Sequence, residues 1–435
     1  MSRFIKGCVV GGLLCVLLTG GWFWIWRSSA QEDGTTSVSQ LMLSEQVSVS
    51  EKPVKSIEER IVGAQEKSSK IKAVYMTAPI ANDQGPGAAR LRQQLIQLAE
   101  TTEINGIVID VKEVCGPEFN PVHLKKLIAE LREKNIWAIA RIVVFKDASQ
   151  TAAHPEWYLT RSNRNTAGDE CARKRYLRVS GTSDPEQINF WQDKKGGYWL
   201  DPASTDVRAY IASHAKTIID LGFDELQFDY IRFPSDGDVA QAIYPAWDGK
   251  TPKYTVMRDF SSFLSDALKT HKPEIILSAD LFGYTALRAG DVGIGQRLDD
   301  IGNAFDYISF MVYPSHYYSG FVVPMDHARG LPALHYTVAQ ARTHPDAVVE
   351  RSLYSAQDFL DSRIGTSTLA TSTTRRVRLR PWLEDFFHEE DRLAHRPFGA
   401  QKVRMQIEGA ERATPHGWIL WNSANLYTAD ALKKE

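Results

Sequence analysis

The chain has 435 residues, with 51 Lys and Arg against 53 Asp and Glu and a formal net charge of −2 at pH 7. This balance gives no long-range positive field, so we expect no nucleic-acid partner. Hydrophobic residues at 43% and charged residues at 24% are typical of a packed globular protein. Length alone does not fix the number of domains, because α/β barrels often exceed about 200 residues as one domain.

The N-terminus contains an uncharged segment long enough to cross a bilayer. Arg3 and Lys6 precede this segment, which runs from residue 7 to residue 26. A helix of this length spans roughly 30 Å, the thickness of the hydrocarbon core. We therefore predict that residues 1–27 form a single-pass transmembrane helix that anchors the protein outside the cytoplasm. A cleaved signal peptide is the alternative and would give a secreted protein.

The segment from residue 28 to residue 70 is rich in Ser, Glu, Gln, Lys and Thr and contains no aromatic residue. It lacks the apolar surface needed to offset the entropy of ordering, which predicts a disordered, flexible linker. Two of the four cysteines, Cys8 and Cys15, lie in the N-terminal apolar run. For the other two, Cys115 and Cys171, a disulfide in an oxidising compartment and two separate thiols are both compatible with the sequence.

From residue 71 onward, short β-branched or aromatic runs alternate with amphipathic helical stretches, which is typical of a parallel sheet built from βα units. Eight strands are predicted, at residues 72–78, 106–112, 136–145, 225–233, 275–282, 307–315, 377–386 and 417–425. This number indicates an α/β fold in which residues 71–435 form a (β/α)8 TIM barrel. An open doubly wound sheet, the alternative, usually has about five to seven strands.

Two predicted connections are too long for simple crossovers. Residues 146–203 follow the third strand and contain HPEWY and GGYWLDP, and we expect them to fold over the mouth of the barrel. Residues 344–376 contain SRIGTSTLATSTTRR and are predicted to form a flexible excursion.

Two carboxylates are predicted at neighbouring strand ends, where TIM barrels carry their catalytic groups. Alternation along the strands points Asp229 of ELQFDYIRFP and Asp280 of IILSADLFG into the barrel, at the ends of the fourth and fifth strands. Neighbouring strands lie about 4.8 Å apart, so the pair can approach the roughly 5–5.5 Å of a retaining glycosidase, with one nucleophile and one acid/base. An ion pair between Asp229 and Arg232 is the structural alternative.

Other strand ends carry polar and aromatic groups that we expect to bind sugar hydroxyls or to hold the two carboxylates. They are Asp110 and Lys112 on the second strand, Arg141 on the third, Arg232 on the fourth, Tyr313 and His316 near the end of the sixth, Trp382 and Glu384 on the seventh, and Trp421 and Asn422 on the eighth. Glu384 is a reserve catalytic carboxylate and Asp385 a weaker one. Trp418 and Asn425 are alternatives on the eighth strand.

Several chemical signatures do not occur in the sequence. It contains no G-x-x-x-x-G-K-[ST], G-x-S-x-G or H-E-x-x-H, and GDVGIG at residues 290–295 lacks the spacing of a dinucleotide-binding loop. The eleven His are scattered without the spacing of metal ligands. We therefore expect neither a cofactor nor a metal ion.

Several strings resemble, in order, a bacterial family of glycoside hydrolases long labelled a domain of unknown function and related to the α-amylase-like barrels. They are KAVYMTA, NGIVIDVKE, WAIARIVVFKD, WLDPAS, FDELQFDYIRFPSDGD, SADLFG and MVYPSHY. The resemblance covers most of residues 71–425, and FDYIRFP is a specific string. It implies a TIM-barrel glycosidase whose fourth-strand and fifth-strand carboxylates are Asp229 and Asp280. In α-amylase-like barrels these positions carry the nucleophile and the acid/base, the latter normally Glu.

The resulting hypothesis is hydrolysis of glycosidic bonds in an extracytoplasmic polysaccharide, with Asp229 as nucleophile and Asp280 as general acid/base. The alternative is a non-catalytic barrel that binds cell-wall polysaccharide or exopolysaccharide. An amidase or deacetylase is disfavoured, because such an enzyme normally needs a metal site that the sequence does not indicate. The sequence does not indicate an oligomeric state.

Overall fold

The computed structural model describes residues 55–162, 168–171, 189–364, 377–386, 388 and 399–434. Within these residues, eight parallel strands form a closed barrel. They are β1 (Ile71–Met76), β2 (Gly106–Glu113), β4 (Trp137–Val143), β5 (Glu225–Asp229), β6 (Ile276–Phe282), β7 (Tyr307–Met311), β11 (Trp382–Glu384) and β12 (Gly417–Trp421). β1 pairs with both β12 and β2, which closes the barrel. The prediction of a (β/α)8 TIM barrel is confirmed, and the open sheet is excluded.

Short strands accompany the barrel. β3 (Gly116–Pro117) pairs antiparallel with β2, and β8 (Phe321–Val323) and β9 (Leu334–Tyr336) form an antiparallel hairpin. β10 (Arg378–Leu379) pairs with β7. Pro381 separates β10 from β11 within the predicted seventh strand, because proline has no N–H group to donate to a sheet.

Helices surround the barrel. They are α1 (Ile57–Ser68), α2 (Ala78–Asn82), α3 (Pro86–Thr101), α4 (Pro121–Glu133), α5 (Thr205–Ile219), α6 (Lys253–His271), α7 (Gly283–Ala286), α8 (Leu298–Gly302), α9 (Val338–Thr343), α10 (Pro345–Ile364) and α11 (Ala400–Ala413). The long helices α3, α4, α5, α6, α10 and α11 each bury an apolar face. In α6, for example, Phe260, Leu264 and Leu268 recur at four-residue intervals and are buried.

The barrel interior contains a buried ion pair at the level of Glu225, the first residue of β5. Arg380 Nη1 lies 2.9 Å from both carboxylate oxygens of Glu225, and neither side chain is exposed to solvent. Trp137 and Ser278 also donate hydrogen bonds to Glu225, at 3.1 and 2.7 Å. These bonds supply the partners that a charge removed from water requires.

Helix α1 lies inside the segment predicted to be a flexible linker, so that prediction is wrong for residues 57–68. The helix begins with a capping box between Ser56 and Glu59. Its last residue, Ser68, is buried, accepts a hydrogen bond from Arg380 Nη2 at 2.8 Å through its carbonyl, and lies 3.0 Å from the Tyr307 hydroxyl through Oγ. Capping and contacts with the barrel therefore order a segment whose composition alone predicts disorder.

The predicted flexible excursion at residues 344–376 is also corrected. Most of it forms α10, which buries Val348, Val349, Leu353 and Ala356. Val349, Leu353 and Ala356 recur at intervals of four and three residues, so a helical face was present in the sequence beside the Ser- and Thr-rich tail. Residues 365–376 lie outside the described residues.

A disulfide joins Cys115, which follows β2, to Cys171 in the long connection after β4. This resolves the two possibilities that the sequence left open. None of the described helices is long and apolar enough to cross a membrane. The predicted transmembrane helix at residues 1–27 lies outside the described residues.

Candidate active site

Two carboxylates lie at the same level on neighbouring strands. The register pairs Gln227 with Ser278 and Phe228 with Ala279, so Asp229 and Asp280 come next. Arg141 Nε lies 3.2 Å from Asp229 Oδ2 and 4.0 Å from Asp280 Oδ2. The two oxygens are therefore at most about 7 Å apart. This upper limit is compatible with the roughly 5–5.5 Å between the carboxyl groups of retaining glycosidases. It excludes the wider part of the roughly 6.5–9.5 Å range of inverting glycosidases.

Arg141, on β4, is the central cation of the site. Its Nη2 donates to Asp229 Oδ2 at 2.6 Å, and its Nη1 donates to Asp110 and Glu113 at 2.7 Å each. Asp110 also accepts a hydrogen bond from the Tyr75 hydroxyl. Charge-assisted bonds of this kind fix both the position and the orientation of a carboxylate. Asp229 therefore pairs with Arg141. The alternative prediction, an ion pair between Asp229 and Arg232, is wrong.

Asp280 differs from Asp229 in its surroundings. Its side chain is 1% exposed, and its Oδ1 accepts a hydrogen bond from Trp382 Nε1 at 2.7 Å. Burial raises the pKa of Asp280 well above the usual range of a carboxyl group, and the negative charge of Asp229 raises it further. Of the two groups, Asp280 is the one whose environment favours a bound proton.

The backbone is strained directly after Asp229. Tyr230 has φ of 53°, in the left-handed region that bulky side chains rarely adopt. Its amide N–H donates to Asp229 Oδ1 at 2.6 Å. Such strain persists only where surrounding contacts hold it, and it is frequent at functional sites.

These groups line an open cleft of about 370 Å³ at the C-terminal ends of the strands. The lining residues are Arg141, Lys195, Asp229, Tyr230, Arg232, Ser235, Asp236, Asp280, Phe282, Met311, Tyr313, His316, Trp382 and Trp421. Lys195 comes from the long connection between residues 146 and 203. Its position in the lining confirms, for the described part of this connection, the prediction that it folds over the barrel mouth.

A second hollow of about 250 Å³ adjoins the cleft. Its lining is Phe282, Gly283, Tyr284, Met311, His316, Tyr317 and Tyr318. Phe282, Met311 and His316 line both spaces, so the two are continuous. Tyr318 is 72% exposed and is stacked on His316, with ring centroids 5.6 Å apart.

Of the residues predicted from sequence, Asp229, Asp280, Arg141, Arg232, Tyr313, His316, Trp382 and Trp421 line the cleft. Asp110 lies behind Arg141 and supports it. Lys112 lies elsewhere: its ammonium group is buried, 2.9 Å from Asp147 and 2.6 Å from the carbonyl of Val143. A register shift between Asp110 and Lys112 is the reason, since it breaks the alternation on which the prediction depended.

Three further predicted residues, Glu384, Asp385 and Asn422, do not line the cleft. Glu384 is buried and accepts hydrogen bonds from Ser315, at 2.5 Å from Oγ and 3.3 Å from the amide nitrogen. Asp385 accepts two hydrogen bonds from Thr428, at 2.6 and 2.8 Å. The side-chain amide of Asn422 donates to the carbonyls of Asp385 and Leu426, at 2.5 Å each. These groups fix loops at the ends of β11 and β12.

Sequence reasoning missed Tyr75, Glu113, Tyr230, Lys195 and Phe282. Glu113 ends the string GIVIDVKE, so a second acidic group near the end of β2 was visible in the sequence. The place of Lys195 depends on a loop fold that no local pattern indicates. Among the described residues there is no group of three or more His, Cys, Asp or Glu arranged to hold a metal ion.

Trp382→Phe tests the hydrogen bond to Asp280. The indole N–H of Trp382 favours the ionised form of Asp280, so removing this donor should raise the pKa of Asp280 further. A general acid loses activity as the pH rises through its pKa. We therefore expect the alkaline limb of kcat/KM to move to higher pH in Trp382→Phe, in profiles measured with an aryl glycoside.

The matched control for that experiment is Trp421→Phe, which changes another cleft indole that does not bond to Asp280. Its alkaline limb should coincide with that of the unmodified protein. Identical shifts in both variants would contradict the role assigned to the Trp382 hydrogen bond.

A closed (β/α)8 barrel with paired carboxylates at neighbouring strand ends is typical of the glycoside-hydrolase class of TIM barrels. Residues 73–427 match the family described as "Putative glycosyl hydrolase domain", and the chain belongs to that family. The predicted family resemblance is thus confirmed, and the chain is a glycosidase. No protein of curated function matches it.

One solved structure with a similar fold is a glycoside hydrolase domain. The chain is similar to the PgaB (BpsB) glycoside hydrolase domain from Bordetella bronchiseptica, with 12% identity, a TM-score of 0.53, and coverage of 83% of this chain and 97% of that chain. At this identity the likeness establishes the fold alone. A hypothetical protein from Ruminiclostridium thermocellum is 26% identical, with a TM-score of 0.35 and coverage of 48% of this chain and 96% of that chain.

Proposed function

We propose that the protein hydrolyses glycosidic bonds of an extracytoplasmic polysaccharide by double displacement, with Asp229 as nucleophile and Asp280 as general acid/base. The observation that carries this proposal is the pair of carboxylates at one level on β5 and β6, on either side of Arg141 in an open cleft. Among the described residues, no other two carboxylates of the cleft lie at the same level on neighbouring strands.

The environments of the two carboxylates support different roles. Asp229 is held by Arg141 and by the amide of Tyr230, so its attacking oxygen is oriented before a substrate arrives. Asp280 is buried, and its raised pKa keeps a proton available for the leaving oxygen. Two carboxyl groups whose pKa values are separated by their surroundings are the usual basis for a nucleophile and an acid in one site.

The reaction then follows in two steps. Asp229 forms a bond to the anomeric carbon while the bond from that carbon to the leaving oxygen breaks, and Asp280 gives its proton to that oxygen. In the second step Asp280 takes a proton from water, and the water oxygen displaces Asp229 from the anomeric carbon. The aromatic rings of Tyr313 and Trp421, with centroids 6.1 Å apart, offer apolar surface to the faces of the sugar ring.

Two observations support a position outside the cytoplasm. The uncharged run from residue 7 to residue 26 is long enough to anchor the chain in a membrane. The Cys115–Cys171 disulfide is typical of proteins in oxidising compartments. We propose a single-pass anchor with the barrel outside the membrane. Labelling of intact cells with an antibody to the barrel, with and without permeabilisation, tests this position.

Product release from a panel of bacterial exopolysaccharides and of α- and β-linked glucans, galactans and amino-sugar polymers tests the activity. We expect the full-length protein to release oligosaccharides from one class of polymer with the anomeric configuration retained, as followed by NMR. Inversion of configuration would rule out Asp229 as a nucleophile. Binding to a polymer without release of any sugar would favour the non-catalytic barrel instead.

A further inference from the structure

The cleft contains a second arginine, Arg232, that has no acidic partner. Its side chain follows β5, and the residue is 6% exposed. Nη1 donates to the carbonyl of Phe233 at 3.0 Å and to Ser235 Oγ at 3.2 Å. Among the described residues, no carboxylate forms an ion pair with it and no acceptor bonds to its Nε or Nη2 group. Arg141, in the same cleft, bonds to three carboxylates.

Aromatic rings hold the guanidinium in place. Its central carbon lies 4.9 Å from the ring centroids of Trp199 and Tyr230 and 4.6 Å from that of Phe282. Contacts between a cation and an aromatic face offset part of the free energy lost when a charge leaves water. They leave Nε and Nη2 without acceptors among the described residues, and burial lowers the pKa of Arg232. The side chain is thus positioned in advance and has no hydrogen-bonded anion among the described residues, although the carboxylates of Asp229, Asp236 and Asp193 attract it electrostatically from a longer distance.

The neighbours of Arg232 indicate where that anion would come from. The arginine lines the same cleft as Asp229 and Asp280, so its open N–H groups can be reached by a bound sugar. Lys195 lines that cleft as well and adds positive charge. A planar guanidinium matches a carboxylate through two parallel N–H···O bonds, whereas a neutral hydroxyl leaves its charge uncompensated.

We propose that Arg232 binds a carboxylate on the substrate, so that the protein acts on a glycan containing acidic sugars of the uronic acid class. This inference rests on the proposed function and specifies its substrate class. Arg232 is in this role a specificity-determining residue, distinct from the two carboxylates that carry out the reaction.

The test compares acidic polymers with neutral versions of themselves. Polymers of glucuronate, galacturonate and mannuronate would be offered to the full-length protein before and after reduction of their carboxyl groups to alcohols. Binding and kcat/KM would be measured for the unmodified protein, Arg232→Gln and Arg232→Lys. Arg329→Gln is the matched control, because Arg329 also stacks on an aromatic ring, 4.1 Å from the Tyr354 centroid, but lies outside the cleft.

We expect at least one acidic polymer to be preferred over its reduced form. Arg232→Gln should remove this preference by weakening binding and kcat/KM for the acidic form about 10- to 100-fold, with little change for the reduced form. Arg232→Lys should lie between, because it keeps the charge and loses the two parallel bonds. Arg329→Gln should retain the full preference.

Other outcomes would overturn the inference. Equal losses on the acidic and reduced forms in Arg232→Gln would make Arg232 a structural residue. A lack of preference for every acidic polymer over its reduced form would exclude the carboxylate. Because binding is measured apart from hydrolysis, binding that depends on Arg232 without cleavage would refute the proposed reaction and leave the carboxylate site standing.

Discussion

Asp229→Asn is expected to lower kcat/KM on the order of 10⁴- to 10⁶-fold, the range seen when a nucleophile is removed from a preorganised site. Asn has nearly the same shape, but its single side-chain oxygen can accept a hydrogen bond from Arg141 or from the amide of Tyr230 and not from both, and its amide cannot form the glycosyl-enzyme bond. Initial rates on an aryl glycoside and on the identified polymer measure the effect. Unchanged thermal unfolding of the variant would show that the loss is chemical.

The variant Asp280→Asn, compared with Asp229→Asn, tests which carboxylate is the nucleophile and which is the general acid. Loss of the general acid should matter most when the leaving group needs a proton, so we expect a large loss on the polymer and a small loss on dinitrophenyl glycosides. In the first step, Asp229→Asn should lose activity to the same extent on the polymer and on the dinitrophenyl glycosides. Added azide, a small nucleophile, should restore turnover by Asp229→Gly and yield a glycosyl azide of inverted configuration. Reversal of these patterns would exchange the roles of the two carboxylates.

Arg380→Met is expected to lower the free energy of unfolding by about 3–5 kcal/mol, because it leaves the buried Glu225 carboxylate without its counter-charge. Trp137 and Ser278 still donate to Glu225, yet neither supplies a positive charge. Urea unfolding at neutral pH, followed by tryptophan fluorescence, measures the change.

Two controls separate this effect from a general loss of packing. The double variant Arg380→Met, Glu225→Gln removes both charges and should recover a large part of the lost stability. Arg60→Met breaks a surface ion pair in which Arg60 Nη1 lies 2.9 Å from Glu274 Oε1. This substitution should lower the free energy of unfolding by less than about 1 kcal/mol. Equal losses in the buried and exposed variants would mean that the barrel interior does not depend on charge compensation.

The fold could be predicted from sequence because the strands have a local signature. Runs of β-branched and aromatic residues mark the barrel strands, and alternation along β5 and β6 correctly pointed Asp229 and Asp280 toward the cleft. The same rule failed on β2, where a register shift turns Lys112 toward Asp147. A bulge has no reliable mark in a single sequence, because it depends on pairing with the neighbouring strand.

The partners of Asp229 and Asp280, the two carboxylates proposed to be catalytic, could not be predicted, because they are distant in sequence. Arg141 and Asp229 are 88 residues apart, and Trp382 and Asp280 are 102 residues apart. A sequence reading favours near neighbours, which is why Arg232 was considered as the partner of Asp229. In a barrel, the closure of the sheet and not the order along the chain decides which strand ends meet.

The Cys115–Cys171 disulfide has a consequence for when the cleft is complete. Cys171 adjoins Glu170, which binds Lys146 at 2.7 Å, and Lys146 also contacts Asp193 at 2.9 Å, two residues before Lys195 of the cleft wall. When the disulfide is reduced, this chain of contacts loses its covalent link to Cys115, which follows β2. We therefore expect reduction of the Cys115–Cys171 disulfide to loosen the cleft wall around Lys195 while the closed barrel stays intact.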